Sequence, residues 1–275
     1  MSYRNRELLS LLAVAAITAV GFASVYIARQ EAISSASLSY GAFFLCLYLA
    51  AHLVMRFFAP TADPYLLPLA GLLTAIGVTE IYRIEPADAL RQSTWIVVGT
   101  AAFSAVLVLL PDPRRLERYK YLIGLGAVFL LALPALPVIG ARVNGARLWV
   151  DLGLVRFQPG ELAKVLMVVF LAAYLREKRE VLAQGRPKDL GPLLSIWGAA
   201  TLVIVETNDL GSALLYFGIF VAMLYAATGR LVYVALGAVL FGAGSAAAYA
   251  TIARVRERVD TWLDPWADPQ GAGSQ

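Results

Sequence analysis

Nine apolar runs, near residues 8–28, 38–58, 65–83, 92–110, 119–139, 161–175, 190–205, 209–227 and 231–250, follow one another with only short polar breaks between them. About 20 such residues in a row match the hydrocarbon thickness of a bilayer. Inside hydrocarbon every backbone N–H and C=O needs an internal partner, which leaves only helices or a closed barrel. Barrel strands would read as alternating segments of about ten residues, and the chain has none. The expectation is an all-α, polytopic helical membrane protein with about nine transmembrane helices, one of them short and re-entrant. Charged residues make up 15% of the chain, against about 25% in soluble domains.

Lysine and arginine placement sets orientation. With the N-terminus cytoplasmic, 13 of the 23 basic residues fall in cytoplasmic loops, Arg4, Arg6 and Arg56 among them; nine fall outside and Lys164 lies within a span. Six of the nine sit in two places, Arg142/Arg147/Arg156 and Arg254/Arg256/Arg258. Basic clusters on the side that should lack them point to an anionic ligand at the outer face; loops long enough to escape the rule are the plainer alternative. The net charge of +4 gives no reason to expect nucleic acid. The first apolar run exceeds the roughly 7–15 residues of a cleaved signal, so a retained helix is expected. Cys46, alone in an apolar span, is expected to pack, with no disulfide or zinc site; His52, the only histidine, is expected at a helix–helix contact.

Residues 142–164, RVNGARLWVDLGLVRFQPGELAK, form a polar segment wedged between apolar runs. Pro159 suits a first helical turn and Glu161 the positive end of a helix dipole. Only some 15 residues separate this point from Arg176, too few to cross unaided. The helix is therefore expected to begin below the outer surface, with 142–160 dipping in as irregular backbone and an outward-open cavity floored by the helix start. Irregular backbone at that depth is tolerated only inside protein or beside water. Glu161 and Lys164, three apart, share a helix face and can pair. They read either as a charged cavity wall for a polar head group or as a structural ion pair between helices.

Two further segments carry acids. In VIVETNDLGSAL, Glu206 and Asp209 fall between two apolar runs; an N-cap is the simpler role for Asp209, and a cavity role is compatible with it. In RVRERVDTWLDPWADPQGAGSQ, Asp260, Asp264 and Asp268 recur every four residues, but Pro265 and Pro269 forbid a continuous helix through them. A loop with acids, Trp262 and Trp266 is expected. An aspartate there can act as a general base if desolvation raises its pKa; a solvated acidic loop is the plainer reading of that segment alone.

Taken together, "GA..W.DLG..RFQP.E.AK" at 145–164, "DLG.AL" at 209–214 and "R…LDP..DP.G.G.Q" at 258–275 resemble the SEDS family of bacterial cell-wall proteins, the RodA, FtsW and SpoVE group, from about residue 65 onward. The resemblance implies a peptidoglycan glycosyltransferase that polymerises lipid II at the outer face of the bacterial cytoplasmic membrane, by an inverting displacement. Asp268 is implied as the general base, with Asp264 as runner-up. Glu161, Lys164 and Asp209, with Arg142, Arg147 and Arg156, are implied to bind substrate. A class B penicillin-binding protein and membrane lipids are the implied partners. A divalent cation, Mg or Mn, is chemically compatible with the diphosphate, although no ligand cluster demands one.

Departures from the family pattern are Gly160 for the commoner Ser, Thr207-Asn208 for Gln-Pro before "DLG", Leu148 where Arg often precedes the Trp, and Ser274 for Tyr. Residues 1–60 read as an additional N-terminal helix pair and 61–275 as a core incomplete at its C-terminus, since the family continues through three more helices. The 275-residue chain is therefore expected to be inactive alone. A precursor flippase would explain intramembrane charges equally well without needing Asp268. A non-catalytic scaffold would tolerate losing both Glu161 and Asp268.

Overall fold

A computed structural model describes residues 3–28, 35–137, 139–143, 146–151, 153, 156–183, 190–207, 209–264 and 266. The elements are α1 (Tyr3–Ala28), α2 (Ser35–Phe58), α3 (Leu66–Ile84), α4 (Pro86–Leu109), α5 (Lys120–Ala132), β1 (Gly140–Val143), β2 (Ala146–Asp151), β3 (Arg156–Phe157), α6 (Pro159–Ala183), α7 (Gly191–Glu206), α8 (Leu210–Thr228), α9 (Leu231–Thr251) and α10 (Ala253–Leu263), with 3-10 turns at Pro113–Tyr119 and Leu133–Ala135. Among the described residues, six helical stretches are long and apolar enough to cross a membrane: Tyr3–Ala28, Gly41–Phe58, Leu66–Ile84, Pro86–Leu109, Gly211–Thr228 and Leu231–Thr251.

Four sequence expectations need correction. The fifth apolar run does not stay α-helical to 139: α5 ends at Ala132 and passes into a 3-10 turn containing Pro134, because proline brings no N–H and clashes with the preceding turn. The sixth apolar run is as short as expected, but its helix is not. α6 runs for 25 residues, about 37 Å at 1.5 Å per residue, because the polar stretch REKRE continues the helix. The described residues of segment 142–160 are not irregular backbone but mostly part of an antiparallel three-stranded sheet in the order β1-β2-β3; its ladder pairs backbone groups that would otherwise be orphaned. The tail is helical through α10, so Asp260 and Trp262 lie on a helix.

The chain divides into two compact units, Met1–Pro113 and Arg114–Gln275. In the first, α1 to α4 bury Phe22, Tyr26, Phe44, Tyr48, Val78 and Tyr82, and the Tyr82 hydroxyl donates to that of Tyr26 at 2.9 Å. This unit also buries an ionic trio. Arg4 pairs with Glu7, and Glu7 Oε1 lies 2.6 Å from His52 Nδ1. His52 thus makes the helix–helix contact expected of it. Arg4, assigned by sequence to a loop, is instead only 5% exposed. Cys46 is exposed rather than packed, since an all-round apolar helix gives no sign of which face turns inward.

In the second unit, α6 supplies the centre of the core. Its Ala163, Met167, Phe170, Leu171 and Tyr174 are buried against α5 and α8. The close approach of α5 depends on Gly124, where an added Cβ would lie 3.0 Å from the Phe170 ring. Beyond the apolar stretch, Glu177 accepts from Lys120 at 2.6 Å and Arg176 pairs with Glu117. α9 packs on α8 and α10 on α9.

Candidate functional site

The sheet is seated on the turn that ends α5. Gly140 N donates to Leu136 O at 2.9 Å and Asp151 N to Ile139 O at 2.9 Å. A Cβ at Gly140 would stand 2.0 Å from the Pro134 carbonyl oxygen, so only glycine permits this seat. Arg142 and Arg147 stand opposite each other in the β1–β2 register, and Asp151 opposite Arg156 between β2 and β3. The Asp151–Arg156 pairing extends to the side chains. Arg156 donates to Asp151 Oδ2 from Nη2 at 2.7 Å and Nε at 3.0 Å, while Gly153 N donates to Oδ1 at 2.9 Å. The Arg156 guanidinium, helped by the Gly153 N–H, holds the Asp151 carboxyl below its usual range. Arg156 is thus engaged within the sheet.

From β3 the chain enters α6 through Gln158 and Pro159. The Glu161 N–H donates to Gln158 O at 3.2 Å, and Lys164 Nζ reaches back one turn to Glu161 Oε1 at 2.7 Å. The Lys164 side chain is 21% exposed and that of Glu161 61%. The pair therefore lies within one helix rather than bridging two, and the carboxylate remains open on its outer side.

Asp209 caps α8: its Oδ1 accepts from Ser212 N at 3.0 Å, the role that the simpler sequence reading assigned to it. It also lines a small cavity, about 20 Å³, with Arg147, Gln158, Gly160, Thr207, Ser212 and Tyr216. The cavity lies at the start of α6, as expected from sequence, and has room for about one water molecule. A Cβ at Gly160 would meet only Leu131, at an ordinary 3.8 Å, so a methyl group is accommodated there.

Tyr216 is the residue that sequence reading missed. It is 2% exposed, and its hydroxyl finds no hydrogen-bond partner among the described residues. Asp209 and Gly160, the residue before Glu161, line the same cavity. The available signal was spacing: Asp209, Ser212 and Tyr216 fall at i, i+3 and i+7, one helical face.

The site residues expected from sequence fall into separate groups. Arg147 and Asp209 line the cavity, and Glu161 follows Gly160, which lines it. Asp264 ends α10, where its N–H donates to Asp260 O at 2.9 Å and its Oδ1 accepts from Trp266 N at 3.2 Å; it is not among the cavity-lining residues. Asp268 lies outside the described residues, as does the side chain of Arg142. Among the described residues no group of three or more His, Cys, Asp or Glu could hold a metal ion.

The family model described as "Cell cycle protein", for FtsW, RodA and SpoVE, matches residues 65–275. A "Peptidoglycan glycosyltransferase RodA" from Mycobacterium tuberculosis (strain H37Rv) is 40% identical over 99% of this chain and 62% of its own length. The protein of the same description from Mycobacterium leprae is 38% identical over the same shares. A "Probable peptidoglycan glycosyltransferase FtsW" from Nitrosococcus halophilus is 35% identical over 78% of this chain and 58% of its own. The chain therefore spans about three-fifths of the length of these curated relatives. No solved structure gives a significant match.

Proposed function

This chain belongs to the FtsW, RodA and SpoVE family of cell cycle proteins, and from that premise we propose that the complete protein polymerises lipid II at the outer face of the bacterial cytoplasmic membrane. The observation that carries the reading is the convergence of three elements on one small cavity. Arg147 of β2, Gly160 at the head of α6 and the α8 cap Asp209 line it together with the buried Tyr216, and the Glu161–Lys164 pair follows Gly160 on α6.

The chemistry asked of such a site is displacement of a diphosphate from an anomeric carbon by a sugar hydroxyl. The 4-hydroxyl of the acceptor is a weak nucleophile and needs a base. Asp268 takes that role in this reading, with Asp264 as runner-up. The proton passes to the carboxylate, the acceptor oxygen bonds to C1 of the donor, and the C1–O bond to undecaprenyl diphosphate breaks. Attack from the face opposite the leaving group inverts the centre. Negative charge grows on the diphosphate as it leaves, and fixed cations stabilise that charge most where water is scarce. Arg147 at the cavity and Lys164, mostly covered, serve this role. Arg142 contributes from the strand facing Arg147, and Arg156 only by exchanging Asp151 for the ligand.

In this reading the N-terminus is cytoplasmic, the segment after α10 is external, and a class B penicillin-binding protein crosslinks the product. The test is to supply lipid II to vesicles holding the complete gene product and to score glycan chain growth separately from lipid II translocation. Chain growth supports the proposal; translocation without chain growth replaces it with a flippase.

A further inference from the structure

The N-terminal unit contains a feature that the polymerase reading does not use. α2 and α3 touch each other little, while each packs along α4. A cleft of about 490 Å³ remains between the three helices, with the small residues Ala59, Ala62, Ala70 and Gly99 among its larger apolar lining. It extends from Ala59, just past the end of α2, to Tyr48 within it, and from Leu107 to Ile96 along α4. Eleven residues at 1.5 Å each make it about 16 Å long, close to half of the roughly 30 Å hydrocarbon core and hence to one leaflet.

Its lining is apolar apart from Tyr48, Thr74 and Thr100, and the Thr74 hydroxyl is spent on the Ala70 carbonyl at 2.7 Å. Water does not fill apolar voids of this kind, and an empty one forfeits the dispersion contacts of its whole wall. Size decides between the remaining occupants. One turn of helix, 10–12 Å across and 5.4 Å high, takes roughly 400–600 Å³, so a spanning partner helix does not fit. At about 30 Å³ per methylene, the same as a water's share of its liquid, the cleft holds on the order of sixteen methylenes, one extended acyl chain.

Charge at one end points to the head group. Arg56 is exposed in the last turn of α2, directly after the cleft residue Met55. Arg4, 5% exposed, donates to the carbonyl of the cleft residue Ala62 and keeps its Nε buried with no partner among the described residues. The connection also carries one exposed acid, Asp63, which accepts from the Tyr65 N–H at 2.8 Å and sits seven residues beyond Arg56. We propose that the cleft between α2, α3 and α4 binds one acyl chain of an anionic glycerophospholipid, whose phosphate sits at the α2–α3 connection against Arg56.

The test needs no catalytic readout, so it stands or falls apart from the polymerase reading. The full chain, reconstituted in vesicles of equal phosphatidylglycerol and phosphatidylcholine, is released and weighed intact by native mass spectrometry. One retained phospholipid per chain is expected, with phosphatidylglycerol favoured. Arg56→Gln, an exposed change that leaves the fold alone, should lower that preference about fivefold. Gly99→Leu with Ala70→Leu should remove the retained lipid at unchanged helicity, since a Cβ at Gly99 meets nothing within 4 Å. Any one of four results overturns the proposal: a wild-type chain free of lipid, a lipid retained undiminished after the cleft is filled, a preference unmoved by Arg56→Gln, or displacement of the phospholipid by added polyprenyl phosphate. If the filled-cleft variant misfolds, the Arg56→Gln ratio decides alone.

Discussion

Lys164 reaches back one turn of α6 to hold Glu161 at 2.7 Å, which makes the pair a property of a single helix head and not a clasp between helices. An exposed pair of this kind contributes about 0–1 kcal/mol to folding. Its removal therefore separates structure from function. Glu161→Gln and Lys164→Met should each melt within a few degrees of wild type, while lipid II polymerisation falls by roughly tenfold to a hundredfold, as expected when a positioned group is lost. Thermal melting in detergent alongside initial polymerisation rates checks this. Large losses of stability with activity retained per folded molecule would make the pair structural.

Asp209 has two separable duties. Asp209→Ala removes the cap on Ser212 N and should cost about 1 kcal/mol. Asp209→Asn keeps the cap and removes the charge. If the charge matters at the cavity, the Asn variant melts like wild type yet polymerises at least several-fold more slowly.

Gly140→Ala should be far worse than an ordinary loop change, because its Cβ would sit 2.0 Å from backbone at Pro134. Forced overpacking costs about 1–3 kcal/mol and often more, so Gly140→Ala should lower the melting temperature while Gly191→Ala, with nothing within 4 Å of its Cβ, should leave it unchanged. Equal melting of the two variants would contradict the seating of the sheet.

In the first unit, Glu7 lies between Arg4 and His52 and is 0% exposed. Removing one member of a buried pair strands its partner's charge, at about 3–5 kcal/mol. Glu7→Ala should therefore destabilise the protein strongly, and Arg4→Met with Glu7→Leu should recover much of the loss. Thermal unfolding of the single and double variants checks this; a double variant no better than the single contradicts it.

Asp151 gives a pH dependence of known sign. Its carboxyl is held below the usual range, first by Arg156 and then by the Gly153 N–H. The pairing is thus fully present above the ordinary carboxylate pKa and is lost as pH falls through the lowered value. Arg156→Gln should return Asp151 toward its ordinary value, moving the acid titration of the sheet upward in pH. An unmoved titration, followed by the Asp151 carboxyl resonance, would show that Arg156 is not the cause.

The helices were legible in the sequence because apolar runs of bilayer length admit little else; Pro159, Glu161 and Asp209 marked two helix starts by local chemistry. The sheet was missed because its strands are short: ARLWVD offers barely three alternations, and its seat depends on a contact between Gly140 and Pro134 that no periodicity reveals. The Arg4–Glu7–His52 trio escaped for a related reason. Glu7 and His52 are 45 residues apart, and helices apolar on all sides do not declare which face meets which. Tyr216 reads as one more apolar-helix aromatic until the fold sets it in one cavity with Arg147, Gly160 and Asp209.

The most direct measurement is lipid II polymerisation by the complete gene product, with the proposed transpeptidase partner added, comparing wild type with Asp268→Ala and Arg147→Leu at equal folded amounts. The account predicts glycan chains from wild type, a loss of about 10²–10⁴-fold without the base, and a loss of roughly 10²-fold without the cavity cation. Undiminished chain growth in both variants would contradict it.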